Sequence, residues 1–275
     1  MEHIVWYPGH MAKAKRLIAE TLPQIDAVIE LADARVPVSS RNPDFDKLFS
    51  GKPRLLLLTK SSLADAGATK RFASSLGAIA IDCKTGSGMQ SIAPAIRQLM
   101  AERLERNAIK GVTRDIRVMV AGITNVGKST FINTFSGTKK AKAEDRPGVT
   151  RSNTWIPTDK GVVMMDTPGL LWHKFDDRSV AVKLACLGSI RDDILDQLEL
   201  AIELLAMLRV KYPELLIERY KIGNIDEDED NYDLFCRIAK KRGFIRSRAE
   251  VDEERTAAVL LDEFRGGRIG RITLD

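Results

Sequence analysis

Near the middle of the chain, AGITNVGKST at 121–130 sets Gly122, Gly127, Lys128 and Ser129 at the spacing of a phosphate-binding loop. Glycines let such a loop curl so that its N–H groups aim at the β-phosphate. A lysine reaches the β and γ oxygens, and a hydroxyl holds Mg2+. Asn125, Val126, Gly127, Lys128, Ser129 and Thr130 would form this cradle, with VMVAG before it as a strand and STFINTF after it as a helix. Without that context the glycines would be an ordinary turn. Downstream, MMDTPG ends an apolar run on Asp166, placed to hold Mg2+ through a water, while the N–H of Gly169 would meet the γ-phosphate. Taken alone, D-T-P-G is also any strand-to-turn junction. Between the two, DRPGVTR at 145–151 offers Thr150 to close on Mg2+ and the γ-phosphate, although a flexible basic loop would read the same way.

A phosphate cradle must be joined by a group that reads the base. The usual guanine reader is N-K-x-D at the end of an apolar strand, its carboxylate taking N1–H and the exocyclic amine. None follows the cradle here. One candidate precedes it, in LLLLTKSSLAD at 55–65, where Thr59, Lys60, Ser61 and Ser62 stand in the reader's places. A second turn, AIDCKTG, offers backbone groups of Asp82 and Cys83 to the guanine oxygen. With base reader first and cradle second, the order predicts a circularly permuted GTPase and explains the 120 residues ahead of the loop. Permutation is tolerated because a sheet can keep its spatial strand order while the chain enters elsewhere. Ser62 brings no carboxylate, an interaction of roughly 1.5–3 kcal/mol, which predicts guanine selectivity weaker by about tenfold to a hundredfold. Thr59 lacks the amide that would brace the loop, and Asp65 lies three residues from the required place.

The positioning elements follow from periodicity. Short apolar runs at 27–31, 54–59, 78–82, 116–122 and 162–166 read as strands, alternating with helical patterns near 11–21, 68–76, 89–107 and 128–137. NTWIP at 153–157 reads as an edge strand, since Pro157 has no N–H to give a ladder. After about residue 178 the strand signals stop. Helical spacing then covers 195–208, 233–243 and 252–267, with Gly243 as a C-terminal cap and IDEDED at 225–230 as a loop. The fold class expected is α/β, a circularly permuted P-loop GTPase domain at 1–178 with a small all-helical domain at 179–275. Hydrophobic content of 44% and charged content of 29% suit a soluble chain. The apolar runs are too short for a bilayer, and the first residues lack a signal-peptide core, so no membrane is expected. Cys83, Cys186 and Cys236 are scattered, which speaks for reduced thiols in the cytoplasm over a disulfide or zinc framework. A net charge of +5 is only mildly basic.

WYPGHMAKAKR at 6–16, DARVPVSSRNP at 33–43, GITNVGKST, DRPGVT, DTPGLLW and the ending GRIGRITLD occur in one order along nearly the whole chain. In this the sequence resembles the ribosome-biogenesis GTPase A (YlqF-like) family of permuted bacterial GTPases. The resemblance implies a cytoplasmic GTPase that binds GTP and GDP with Mg2+ and helps mature the large ribosomal subunit, its C-terminal helices touching rRNA. Leu170 follows DTPG where many GTPases carry a glutamine, and an apolar side chain cannot orient water. The resemblance points instead to His10 as the catalytic group; a histidine bonding the backbone near Pro8–Gly9 is the plainer reading. It also pairs Asn125 with a K+ beside the phosphates, where a simple turn residue would serve as well. Arg237, Lys240, Lys241, Arg242, Arg246 and Arg248 form a basic run suited to RNA phosphates or to a solvated face. Two other functions fit the degenerate reader: an assembly factor that binds nucleotide without hydrolysing it, and a purine NTPase of relaxed selectivity.

Overall fold

The computed structural model describes residues 9–137, 154–172, 175, 177–246 and 250–275. The chain divides into two compact units, Met1–Asp176 with Asp275, and Asp177–Leu274.

The first unit is built on β1 (Ala27–Asp33), β2 (Arg54–Thr59), β3 (Ile79–Ala80), β4 (Ile116–Gly122), β5 (Thr154–Pro157) and β6 (Val162–Asp166). Every residue of β1 is buried, as a central parallel strand covered on both faces requires. The sheet runs β3-β2-β1-β4-β6-β5. All pairings are parallel except β5 with β6. Strand β5 lies at the edge, the place that Pro157 tolerates. The chain moves outward from β1 through β2 to β3, then returns to the other side of β1 as β4. The strand order therefore reverses between β1 and β4, the crevice where open α/β sheets bind their ligands. Leu31 pairs with Gly122 and Asp33 with Thr59, so the carboxyl ends of β1, β2 and β4 reach the same rim.

The helices of this unit are α1 (Gly9–Thr21), α2 (Asp44–Leu48), α3 (Ala66–Leu76), α4 (Ile92–Leu99), α5 (Ala101–Ile109) and α6 (Lys128–Ser136). The single helix expected over 89–107 is two, parted where Met100 leaves helical geometry at φ −104°, ψ 9°. Met100 is buried, whereas α5 is half-exposed to exposed throughout, so the chain turns where its apolar face ends.

The second unit comprises α7 (Arg178–Cys186), α8 (Gln197–Lys211), α9 (Pro213–Tyr220), α10 (Asn231–Arg242) and α11 (Glu253–Arg265). Leu200, Ala201, Leu204, Leu205 and Leu208 of α8 are buried, and α8 packs against the other four helices. Gly243 caps α10 in the left-handed region at φ 70°, as the helical spacing predicts. Helices α7 and α9 were not legible as periodic stretches. Both are short, and α9 opens on Pro213, which suits a first helical position but leaves two turns of pattern to detect. Among the described residues no helix is long and apolar enough to cross a membrane.

Candidate functional site

The phosphate loop joins β4 to α6 at the reversal point. Gly127 turns the chain at φ 98° immediately before α6, and Asn125 also has positive φ, 57°. Gly122 is required by proximity: a Cβ there would lie 2.8 Å from both the Leu31 carbonyl oxygen and Val126 Cγ1. Lys128 opens α6 and is buried. Its Nζ donates to the carbonyl oxygens of Ile123 at 2.6 Å and Gly122 at 3.2 Å, which holds the ammonium across the loop. Burial pushes the Lys128 ammonium down to about 8; the charge of Asp166 opposes this and that of Lys60 adds to it. A cation so desolvated gains most from an anion. Ser129 and Thr130 follow in the first turn of α6, Ser129 half-buried and Thr130 exposed, where helix N–H groups and dipole favour phosphate.

The D-T-P-G turn packs directly on this loop. A Cβ at Gly169 would stand 2.9 Å from the backbone N and Cα of Thr124, so no larger residue fits. Leu170 N–H donates to Gly122 O at 3.2 Å, and the Thr167 hydroxyl donates to Val120 O at 2.7 Å. Asp166 is buried at the end of β6, in register with Val120. The carboxylate of Asp166 and the hydroxyl of Ser129 are hard oxygen donors, the set that Mg2+ takes.

The turn at Thr59–Ser62, expected to read the base, is fastened to the phosphate loop by side chains. Thr59 Oγ1 lies 2.7 Å from Val126 O and 3.1 Å from Ala32 O. Its one proton serves the nearer carbonyl best. The brace expected to be lost with the amide is thus made by a hydroxyl, because the carbonyl it must meet is close enough. Lys60, at φ 56°, sends Nζ to Asn125 O at 2.6 Å and to Asp33 Oδ2 at 3.0 Å. Asp65 caps α3, accepting from Ala68 N–H at 2.6 Å, and takes no part in the reader.

Ser62 bonds through its hydroxyl to Asp82 Oδ2. Asp82 departs from the role expected of it: its N–H goes to Ser87 O at 2.9 Å, closing its own turn. Its carboxylate accepts from Ser62, Lys84 and Thr85. Cys83 is half-buried, and desolvation with the neighbouring Asp82 charge pushes its thiol up to about 11, away from reactivity.

The reading of motifs passed over the residues that stiffen this rim. Asp33 and Arg35 are both buried and paired twice, Arg35 Nε to Oδ1 and Nη2 to Oδ2, each at 2.9 Å. Asp33 therefore sits between Arg35 and Lys60. Arg41 pairs with buried Glu30 at 2.9 Å, and Asn42 donates to Leu170 O at 3.0 Å, tying this segment to the D-T-P-G turn. The signal was present in DARVPVSSRNP, polar residues crowded at the end of an all-apolar strand.

Three of the expected residues have side chains outside the description. Thr150 and Arg248 lie outside the described residues, and His10 falls within α1 but its side chain is not among those described. In the second unit, Arg237 pairs with Glu229 at 2.6 Å, Arg242 with Glu263 at 3.0 Å, and Arg246 with Asp252 and Glu254, each at 3.0 Å. Lys240 and Lys241 are exposed on the last turn of α10.

A family model described as a 50S ribosome-binding GTPase matches residues 117–227. The match begins in β4 and does not include β1, β2 or β3. Ribosome biogenesis GTPase A of Bacillus cereus is 43% identical over 278 residues, spanning 99% of this chain and 93% of that protein. The GDP-bound structure of TM YlqF superimposes with a TM-score of 0.63 at 25% identity, covering 94% of this chain and 97% of that one. The GNP-bound crystal structure of YlqF from T. maritima gives the same TM-score and identity over 96% and 97%.

Proposed function

The chain belongs to the ribosome biogenesis GTPase A family, and from that premise we propose that it binds and hydrolyses GTP as an assembly factor for the large ribosomal subunit. The observation that carries this reading is the contact of Thr59 with Val126 O and of Lys60 with Asn125 O, at 2.7 and 2.6 Å. Through it two segments far apart in sequence are held together at the rim of the sheet. Lys128 and the first turn of α6 neutralise the β and γ phosphates, and the Gly169 N–H meets the γ-phosphate. Ser129 and Asp166 would hold Mg2+, with Thr150 completing its shell when the triphosphate is bound. Held there, Mg2+ would supply positive charge against the phosphates. Asn125 would border a K+ beside the phosphates, and the turns at Thr59–Ser62 and at Asp82 and Cys83 would enclose the base.

Leu170 is buried and apolar, so the water must be oriented from another element. We assign that to His10 on the strength of family membership. Lys240 and Lys241, with Arg246 and Arg248 beyond the cap, would meet rRNA phosphates in the cytoplasm, while Arg237 and Arg242 mainly brace the helical unit through their ion pairs. Phosphate release from GTP and from ATP, each with and without large ribosomal subunits, tests the reading. Turnover of GTP well above ATP and raised by subunits is the expected result. Equal turnover of both would favour a general purine NTPase, and binding without turnover a non-hydrolysing factor. His10→Ala is expected to lower the stimulated rate and leave GDP affinity unchanged.

A further inference from the structure

The reader of this chain lacks a carboxylate, yet a buried carboxylate lies directly behind it. Asp82 Oδ1 accepts the N–H groups of Lys84 at 2.8 Å and Thr85 at 2.9 Å. Oδ2 accepts Ser62 N–H at 3.3 Å and the Ser62 hydroxyl. The four acceptor positions of an ionised carboxylate are thereby filled, and Asp82 is 3% exposed, so it has nothing left to offer a base. Ser62 is half-buried. Its hydroxyl has one proton, directed at Asp82, and two lone pairs that remain.

We propose that Asp82 fixes the Ser62 hydroxyl as an acceptor-only group toward the base, so that guanine preference survives without an aspartate in the reader. Burial works against ionisation of Asp82, yet the hydrogen bonds from Ser62, Thr85 and Lys84 hold its carboxyl below the usual range, so the proton stays on Ser62. Guanine presents two donors at this edge, N1–H and the exocyclic amine. Adenine presents the N1 lone pair and xanthine a carbonyl oxygen, each facing an oxygen that cannot turn its proton toward them. A free serine would rotate to suit either edge. The inference rests on the guanine-nucleotide reading of the pocket, and it gives Asp82 a specificity role exercised through Ser62.

Competition of GDP, IDP, ADP and XDP against a fluorescent GDP analogue, with Mg2+ present, tests it on the full chain. Wild type is expected to bind GDP and IDP more tightly than ADP and XDP, by on the order of tenfold. In Asp82→Asn the carboxamide N–H can donate to the Ser62 oxygen and turn its proton toward the base. The GDP-to-ADP preference should then fall about tenfold, driven by weaker GDP binding. Ser62→Ala should narrow the gap from both sides, weakening GDP and relieving ADP, which secures the test if Asp82→Asn unfolds. Wild type binding GDP and ADP equally would overturn the proposal. So would both variants weakening all four nucleotides by one common factor, the mark of a merely structural turn. Wild type binding none of the four, indistinguishable from Lys128→Ala, would locate the failure in the nucleotide-site reading itself.

Discussion

Arg35 in the first unit and Arg246 in the second are used in opposite ways. In the first, Arg35 is as buried as the core around it and spends its guanidinium on Asp33, which in turn holds Lys60 against the phosphate loop. In the second, Arg246 is half-exposed and shared between Asp252 and Glu254 on a wet surface. A desolvated pair is a rigid part, because removing one partner strands the other's charge. A solvated pair is screened and easily exchanged for other anions. The rim of the first unit is therefore stiffened by charge, while Arg246 of the helical unit is held only by exchangeable surface pairs.

Removing Arg35 should break the contrast most severely. Arg35→Met is expected to destabilise the protein by about 3–5 kcal/mol in urea unfolding, since Asp33 is left buried beside one lysine. Arg246→Met should leave the midpoint unchanged, and similar losses in both variants would erase the distinction. Next in size is Lys128→Ala, for which GDP affinity measured by titration calorimetry should drop by on the order of a hundredfold, with stability little altered. Thr59→Val removes the hydroxyl that meets Val126 O. It should cost about 1–3 kcal/mol and weaken nucleotide binding, whereas Thr59→Ser should restore both. For the helical unit, Lys240→Glu with Lys241→Glu should flatten the salt dependence of subunit binding by about one unit of log–log slope per lost phosphate contact. An unchanged slope would remove these lysines from the interface.

The smallest effect is one of pH. Arg35 and Lys60 hold the Asp33 carboxyl well below its ordinary value of 3.8, against the opposing effect of burial. Its contribution to stability is then complete above that value and is lost as pH falls below it. The stability gap between wild type and Asp33→Asn should be constant from neutral pH to about pH 5 and shrink as acid is added further. A gap that widens in acid would contradict this sign.

The sheet was legible in outline because parallel strands buried on both faces appear as short unbroken apolar runs. AVIEL, RLLLLT and IRVMVAG each became a strand, and Pro157 marked its edge correctly. The break at Met100 and the helices α7 and α9 were not legible. Their boundaries depend on where a face stops being covered, which periodicity does not encode. At the site, the glycine and lysine spacing revealed the cradle, because phosphate binding needs a backbone shape that few residues permit. DARVPVSSRNP revealed only likeness: Arg35, the partner of Asp33, lies within the motif, but Lys60, Glu30 and Leu170, which meet Asp33, Arg41 and Asn42, lie outside it.

Residue order along the chain was enough to place TKSS ahead of the phosphate loop, with hydroxyls at 59 and 62 where a guanine reader would carry an amide and a carboxylate. What those hydroxyls meet depended on distances between segments 67 residues apart for Thr59 and Val126 and 20 apart for Ser62 and Asp82. Folding brings the Val126 carbonyl within 2.7 Å of the Thr59 hydroxyl and places the Asp82 carboxylate against Ser62. A hydrogen bond needs two groups at one place, and only the packed sheet puts them there.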